Sequence, residues 1–120
     1  MVNKLDLFGK ALWDYQKKPQ ENQIMTWTSL TKNDSINVSY FFRSFDEMPK
    51  LEQKALMLSK GKVLDIGCGA GSHSLYIQNK MKLEVYGIDQ SPGAIETARA
   101  RGLKNTIEQS IFSYKEETFD

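Results

Sequence analysis

Val63-Leu64-Asp65-Ile66-Gly67-Cys68-Gly69-Ala70-Gly71-Ser72 decides how this chain folds. An apolar run ending in an acid gives way to glycines at alternate positions. A strand needs that pattern to stop and pass its backbone close beneath a ligand before a helix begins. Further on, Leu83-Glu84-Val85-Tyr86-Gly87-Ile88 is a second apolar run, and it ends in Asp89. A carboxylate at that strand end is placed to accept hydrogen bonds from both hydroxyls of a ribose. A glycine loop and two carboxylates together describe a site for a nucleoside-bearing cofactor.

Spacing narrows the choice. The loop reads G-x-G-x-G, with Ser72 where the third glycine of the dinucleotide fingerprint G-x-G-x-x-G would fall, which counts against an NAD(P)-linked oxidoreductase. Asp65, just before the first glycine, would set negative charge against a pyrophosphate. It would instead attract the ammonium and sulfonium of S-adenosylmethionine. The chain has no G-x-x-x-x-G-K-[ST] run, so a nucleoside triphosphate loop has no support, and the reading calls for no metal.

At these residues the chain closely resembles the class I S-adenosylmethionine-dependent methyltransferases, in particular small bacterial ones with a D-I-G-C-G-x-G loop. The likeness runs from about Gly61 to Asp120. It takes in the loop, the strand end Gly87-Ile88-Asp89, the following Gln90-Ser91-Pro92 and the Phe119-Asp120 pair. Carried over by position, it implies that Asp65, Gly67, Gly69 and Gly71 line the methionine end of the cofactor. Asp89 then holds the ribose and Gln90 flanks the adenine. Family members often place an acid against the adenine amino group after the third strand. Here Gln109-Ser110-Ile111 occupies that region, and Ser110, beside Ile111, replaces the acid with a hydroxyl that can still accept a hydrogen bond. Cys68 falls within the same cradle. With no base evident beside it, it reads as a small side chain that fits rather than as a nucleophile.

From Lys62 the order is strand, glycine loop, helix, strand, helix, strand, which is the first half of a Rossmann-like doubly wound parallel sheet in the α/β class. The pattern predicts a strand over 62–66, a helix over 72–80 carrying Leu75 and Ile77, and a helix over 92–101. That second helix opens on Pro92, buries Ala94, Ile95 and Ala98, and stops at Gly102. A third strand is expected over 105–111, and Phe119-Asp120 reads as the start of a fourth. In the family's usual strand order the first strand is central and the fourth lies beside it. A sheet stopping here would expose an edge of the first strand, which invites pairing. The expectation is a fragment of a longer enzyme, with dependence on another chain as the alternative.

Residues 1–60 read as a separate helical segment, an amino-terminal extension to the cofactor-binding half at 61–120. Leu5, Phe8, Leu12 and Tyr15 recur at helical spacing, predicting an amphipathic helix over 4–17 that stops near Pro19. A polar stretch with Trp27 and Leu30 follows, then the aromatic cluster Tyr40-Phe41-Phe42-Arg43-Ser44-Phe45. A helix over 49–59 comes next, with Leu51, Ala55 and Leu58 on one side. This apolar surface is too small for a core of its own, so the segment is expected to pack on the sheet unit as a lid. Tyr40 and Arg43 would then meet the methionine end of the cofactor. The aromatic cluster reads first as packing. Arg43 among aromatics could fork onto the cofactor's carboxylate, or simply form an ion pair. His73, the sole histidine, has no matched acid in the sequence and reads as a helix-start residue rather than a catalytic base.

The chain has 120 residues, 40% of them apolar, enough for one modest core. Its 16 basic and 15 acidic side chains give a formal net charge of +1, with no long run of like charge. From this, nucleic acid is expected not to be the substrate, and a small-molecule methyl acceptor is expected in its place. No stretch has the ~18 apolar residues of a membrane span, and the chain is expected to work in the cytoplasm without membrane partners. The resemblance implies in-line attack by an acceptor on the sulfonium methyl of S-adenosylmethionine. A non-catalytic cofactor-binding or interaction module remains the other reading.

Overall fold

The computed structural model describes residues 6–19, 23–26, 34–114 and 119. In chain order these form α1 (Leu7–Lys17), β1 (Gln23–Thr26), β2 (Asp34–Asn37), a 3-10 turn at Val38–Phe42, another at Phe45–Glu47 and α2 (Lys50–Met57). Then come β3 (Lys62–Ile66), α3 (Ser72–Asn79), β4 (Glu84–Asp89), α4 (Pro92–Ala100), β5 (Thr106–Glu108) and a 3-10 turn at Ile111–Ser113. Leu5, Trp27, Leu30 and Asp120, which carried expectations above, lie outside the described residues.

Strands β3, β4 and β5 pair in parallel in that order. Val63 stands opposite Val85, Asp65 opposite Gly87 and Ile66 opposite Ile88. Both crossovers step in the same direction, so their right-handedness puts α3 and α4 on one face of the sheet. There Ile77, Val85, Ala98 and Leu103 form one buried cluster with Met48 and Leu56. This is the first half of a doubly wound Rossmann-like sheet, as the pattern of strands and helices predicts. Among the described strands β3 is an edge, and Ile66 at its end is 60% exposed.

Two features differ from the sequence expectation, the length of the third strand and the buried face of α2. The third strand keeps only Thr106–Glu108. Gln109 still donates its N–H to the Asp89 carbonyl, but Ser110 then caps a 3-10 turn by accepting the Phe112 N–H, and that turn ends the strand. Over α2, Leu51 and Leu58 are exposed and Leu56 is the buried residue. The helix therefore presents the opposite side to the one its apolar spacing suggested.

The amino-terminal segment packs against this half. Strands β1 and β2 form an antiparallel pair that the sequence reading did not anticipate, with Ile24 opposite Ile36. Helix α1 lies along α4 at very close range, because a Cβ on Gly93 would overlap the Gly9 backbone. Leu12, Val38, Ala70 and Ala94 are buried together in a second cluster, with Phe8, Tyr15, Phe41 and Phe42 packed around them. Ala70 belongs to the glycine loop and Ala94 to α4. The extension thus shares a core with the residues that shape the candidate site.

Candidate functional site

The loop leaves β3 through Gly67 and Gly69, at φ +68° and +56°, the left-handed backbone that glycine adopts without steric cost. It is tied back to the neighbouring strand, since the N–H groups of Gly67 and Cys68 both donate to the Ile88 carbonyl, at 2.8 and 3.1 Å. A Cβ on Gly67 would meet nothing within 4 Å, and one on Gly69 would approach only the Phe8 ring at 3.9 Å. Both glycines leave open space above the backbone rather than relieving a clash within the protein. Gly71 differs. A Cβ there would sit 3.1 Å from the Ala98 methyl, so this glycine lets α3 and α4 close on each other.

Two clefts meet at Gly67. The first, of ≈ 210 Å³, is lined by Phe8, Tyr40, Phe41, Arg43, Glu52, Ser72, His73 and the loop from Gly67 to Ala70. The second, of ≈ 220 Å³, is lined by Ile66, Gly67, Ile88, Asp89, Gln90 and the 109–112 stretch. Of the residues singled out from sequence, Tyr40, Arg43, Cys68 and Gly69 face the first cleft. Asp89, Gln90, Ser110 and Ile111 face the second, and Gly67 borders both. Asp65 and Gly71 line neither. Asp65 lies beneath the loop, where it accepts a hydrogen bond from the Ser74 hydroxyl at 2.7 Å. Burial pushes its carboxyl above the ordinary aspartate range, and the Ser74 bond opposes that only in part.

Asp89 is held by the backbone. Its Oδ2 accepts the Gly69 N–H at 3.0 Å and its Oδ1 accepts the Ser91 N–H at 2.9 Å. Each oxygen keeps a lone pair for a further donor, so the carboxylate is oriented toward the second cleft with acceptor capacity left over. The Cys68 thiol, buried under the loop, is pushed up to about 12 by desolvation, with Asp65 and Asp89 adding to it. That agrees with a packing role and argues against a nucleophile.

The first cleft holds a cluster that sequence reasoning missed. Glu52, in the first turn of α2, accepts the Arg43 Nη2 on both carboxylate oxygens at 3.1 and 3.0 Å, and its Oε2 lies 3.1 Å from His73 Nε2. Burial raises the Glu52 carboxyl, but the bonds from His73 and Arg43 outweigh it and hold the group below the usual glutamate range. Arg43 also donates its Nε to the Tyr40 carbonyl at 2.9 Å and stacks on the Tyr40 ring at 4.0 Å. It is therefore an ion-paired arginine on the cleft wall, and His73 does have a matched acid. In the sequence Glu52 looks like an ordinary helix-start acid, and nothing in its spacing from Arg43 or His73 marks the pairing.

The loop is stitched to the extension on a further side. The Ser72 hydroxyl donates to the Phe41 carbonyl at 2.7 Å, while Arg101 donates to the Ala70 carbonyl and the Ser72 hydroxyl and lies over the Phe42 ring.

Residues 63–120 match a family described as a methyltransferase domain. A solved S-adenosylmethionine-dependent methyltransferase from Bacteroides fragilis, determined with S-adenosyl-L-homocysteine, superposes with a TM-score of 0.84 at 30% identity, covering 94% of this chain and 47% of that one. Residues 63–120 are the amino-terminal portion of a class I S-adenosylmethionine-dependent methyltransferase domain. The curated relatives include the ribosomal RNA small subunit methyltransferase C of Escherichia coli O7:K1, 39% identical over 56 residues, which are 46% of this chain and 16% of that protein. The same enzyme of Shigella flexneri serotype 5b matches at 39% over 56 residues, with the same shares. The chain spans about half the length of the solved relative and a smaller part of the curated ones.

These relatives overturn one expectation. A formal net charge of +1 predicts a small-molecule acceptor in place of nucleic acid, yet the methyltransferase segment is similar to enzymes named for ribosomal RNA. The total charge of a cofactor-binding segment does not report on an acceptor surface, because phosphate contacts depend on where cations stand rather than on their sum. Among the described residues no helix is long and apolar enough to cross a membrane.

Proposed function

We propose that this chain supplies the cofactor-binding half of an S-adenosylmethionine-dependent methyltransferase. The observation that carries the reading is the pair of clefts meeting at Gly67, with the Asp89 carboxylate in one and the Arg43–Glu52–His73 cluster in the other. The cofactor has the same two halves, an adenosine and a charged amino acid joined through a sulfonium. The open space over Gly67 and Gly69 suits its passage between them.

In this reading Asp89 accepts the ribose hydroxyls, and Gln90, Ser110 and Ile111 surround the adenine. Gly67, Cys68 and Gly69 run beneath the sulfur, and Tyr40 and Arg43 close the methionine end. Arg43 can meet a cofactor carboxylate while Glu52 balances its charge. Asp65 and Gly71 act from below, setting the loop's shape. Residues 1–60 serve as a lid, with Phe8, Tyr40 and Phe41 excluding water from the cleft. When bound, S-adenosylmethionine supplies an already activated methyl group, so the protein's task is to orient donor and acceptor in line.

Titration calorimetry on the intact protein tests the binding claim, with S-adenosylhomocysteine as ligand and NAD as control. Binding of the first and not the second supports the reading. Binding of neither, or of NAD alone, overturns it. Radiolabelled methyl transfer to a panel of acceptors that includes RNA then separates an enzyme from a binding module.

A further inference from the structure

We infer that Asp6 is a positioning residue that couples docking of the amino-terminal helix to the geometry of the Asp89 carboxylate. One carboxylate serves two helices. Its Oδ1 accepts the Gly9 N–H at 3.0 Å, capping α1, and its Oδ2 accepts the Gly93 N–H at 2.8 Å, in the first turn of α4. The Ser91 hydroxyl donates to both oxygens, at 2.8 and 2.9 Å, while itself capping α4 by accepting the Ala94 N–H at 3.1 Å. Two helix amino termini, each with partial positive charge and unpaired N–H groups, thus converge on one anion.

The chain of bonds continues into the site. The Ser91 hydroxyl is gripped by Asp6 and its backbone N–H is bonded to Asp89 Oδ1, while Asp89 Oδ2 holds the Gly69 N–H of the loop. Asp6 therefore reaches the second cleft through Ser91 and Asp89. Its own helix reaches the first cleft through Phe8, whose ring lies over Gly69. The contact is tight by construction, since Gly9 and Gly93 bring the two backbones together where no side chain would fit. If α1 undocks, Ser91 loses both carboxylate bonds, Gly93 loses its acceptor, and Asp89 loses a fixed neighbour on the side facing the ribose. Conversely, a ligand on Asp89 favours the docked helix, because coupling between two sites is reciprocal.

The inference rests on the cofactor reading for its ligand arm only. Asp6→Asn is close to isosteric but offers a single acceptor oxygen, so the amide of either Gly9 or Gly93 meets an NH2 group instead. Gly93→Ala separates the helices while leaving Asp6 intact. In the ligand-free intact protein, both variants are expected to speed amide hydrogen exchange at Gly69 and Ser91 while β4 amides such as Val85 exchange as in the parent. Exchange at Gly69 and Ser91 that matches the parent in both variants overturns the inference, whatever the ligand. For binding, each variant is expected to weaken adenosine and S-adenosylhomocysteine by the same factor, at most about 10-fold, the worth of one charge-assisted bond fully coupled to the site. S-Adenosylhomocysteine is also expected to slow exchange across 7–17 in the parent. A parent that binds neither ligand defeats the cofactor reading and leaves the exchange result to decide the coupling. A parent that binds both, with variants of undiminished affinity, defeats the coupling.

Discussion

Replacing Asp89 by alanine removes the group on which the ribose assignment stands. Its two oxygens each accept one backbone N–H, from Gly69 and from Ser91, and each retains capacity for one ribose hydroxyl. Hydrogen bonds to a charged partner are worth about 1.5–3 kcal/mol each. Losing two at the lower value weakens S-adenosylhomocysteine by about two orders of magnitude, at 1.4 kcal/mol per tenfold. The same change leaves the Gly69 and Ser91 amides without their acceptor, which costs stability of about 1–3 kcal/mol. Binding should therefore be measured by calorimetry well below the melting transition, with circular dichroism recorded alongside. Asp89→Asn, which keeps one acceptor, should fall between parent and alanine variant. An alanine variant that is folded and binds with the parent's affinity refutes the ribose assignment.

Gly69→Val places a side chain where the loop is open, beside only the Phe8 ring, and forces a branched residue to φ +56° at a cost of about 1–2 kcal/mol. The expected result is near-native circular dichroism with cofactor binding lost, and retained binding would refute the loop as cradle. Asp65 has its folded pKa raised, so the stability it contributes is present below the ordinary aspartate range and is lost as pH rises through the folded value. The stability of Asp65→Asn in denaturation experiments should accordingly gain on that of the parent as pH rises from that range, and parallel curves would contradict the assignment. Cys68, pushed up to about 12, should react with a disulfide reagent at pH 8 only as fast as the protein opens, and labelling of the folded protein at the rate of a free thiol would refute its burial.

The half that begins at Lys62 was legible because each element carried its own local signal. Strand β3 ends where the glycines begin, Pro92 and Gly102 bracket α4, and Ala94, Ile95 and Ala98 are all buried as their spacing predicts. The Asp89 placement followed from strand geometry alone. What sequence could not show was which glycine borders an open cleft and which faces a helix. Gly67, Gly69 and Gly71 all have positive φ, yet only contacts with Ala98 and Leu103, distant in the chain, assign Gly71 to packing. The face of α2 was misjudged for a related reason. Leu51, Ala55 and Leu58 recur regularly, but Glu52 must reach Arg43 and His73, and the helix rotation that permits this leaves Leu51 and Leu58 outward.

The extension was harder to read because its strongest interactions span many residues. Asp6 bonds across 85 residues to Ser91, and Ser72 bonds across 31 to Phe41. No periodicity encodes such pairs. Asp6 had a readable signal as a helix cap before an apolar repeat, and the expected start at Lys4 overlooked it. Its second role, toward α4, leaves no mark in either local sequence. Among the described residues, several attachments hold the extension to the glycine loop or to the strand end beside it. Asp6 acts through Ser91 and Asp89, the Ser72 hydroxyl bonds to Phe41, and Arg101 bridges the Ala70 carbonyl to the Phe42 ring. A segment needed only to cover apolar surface could be attached anywhere along α4. Converging here, the attachments are what the proposed lid needs if it is to complete a site as well as shield it.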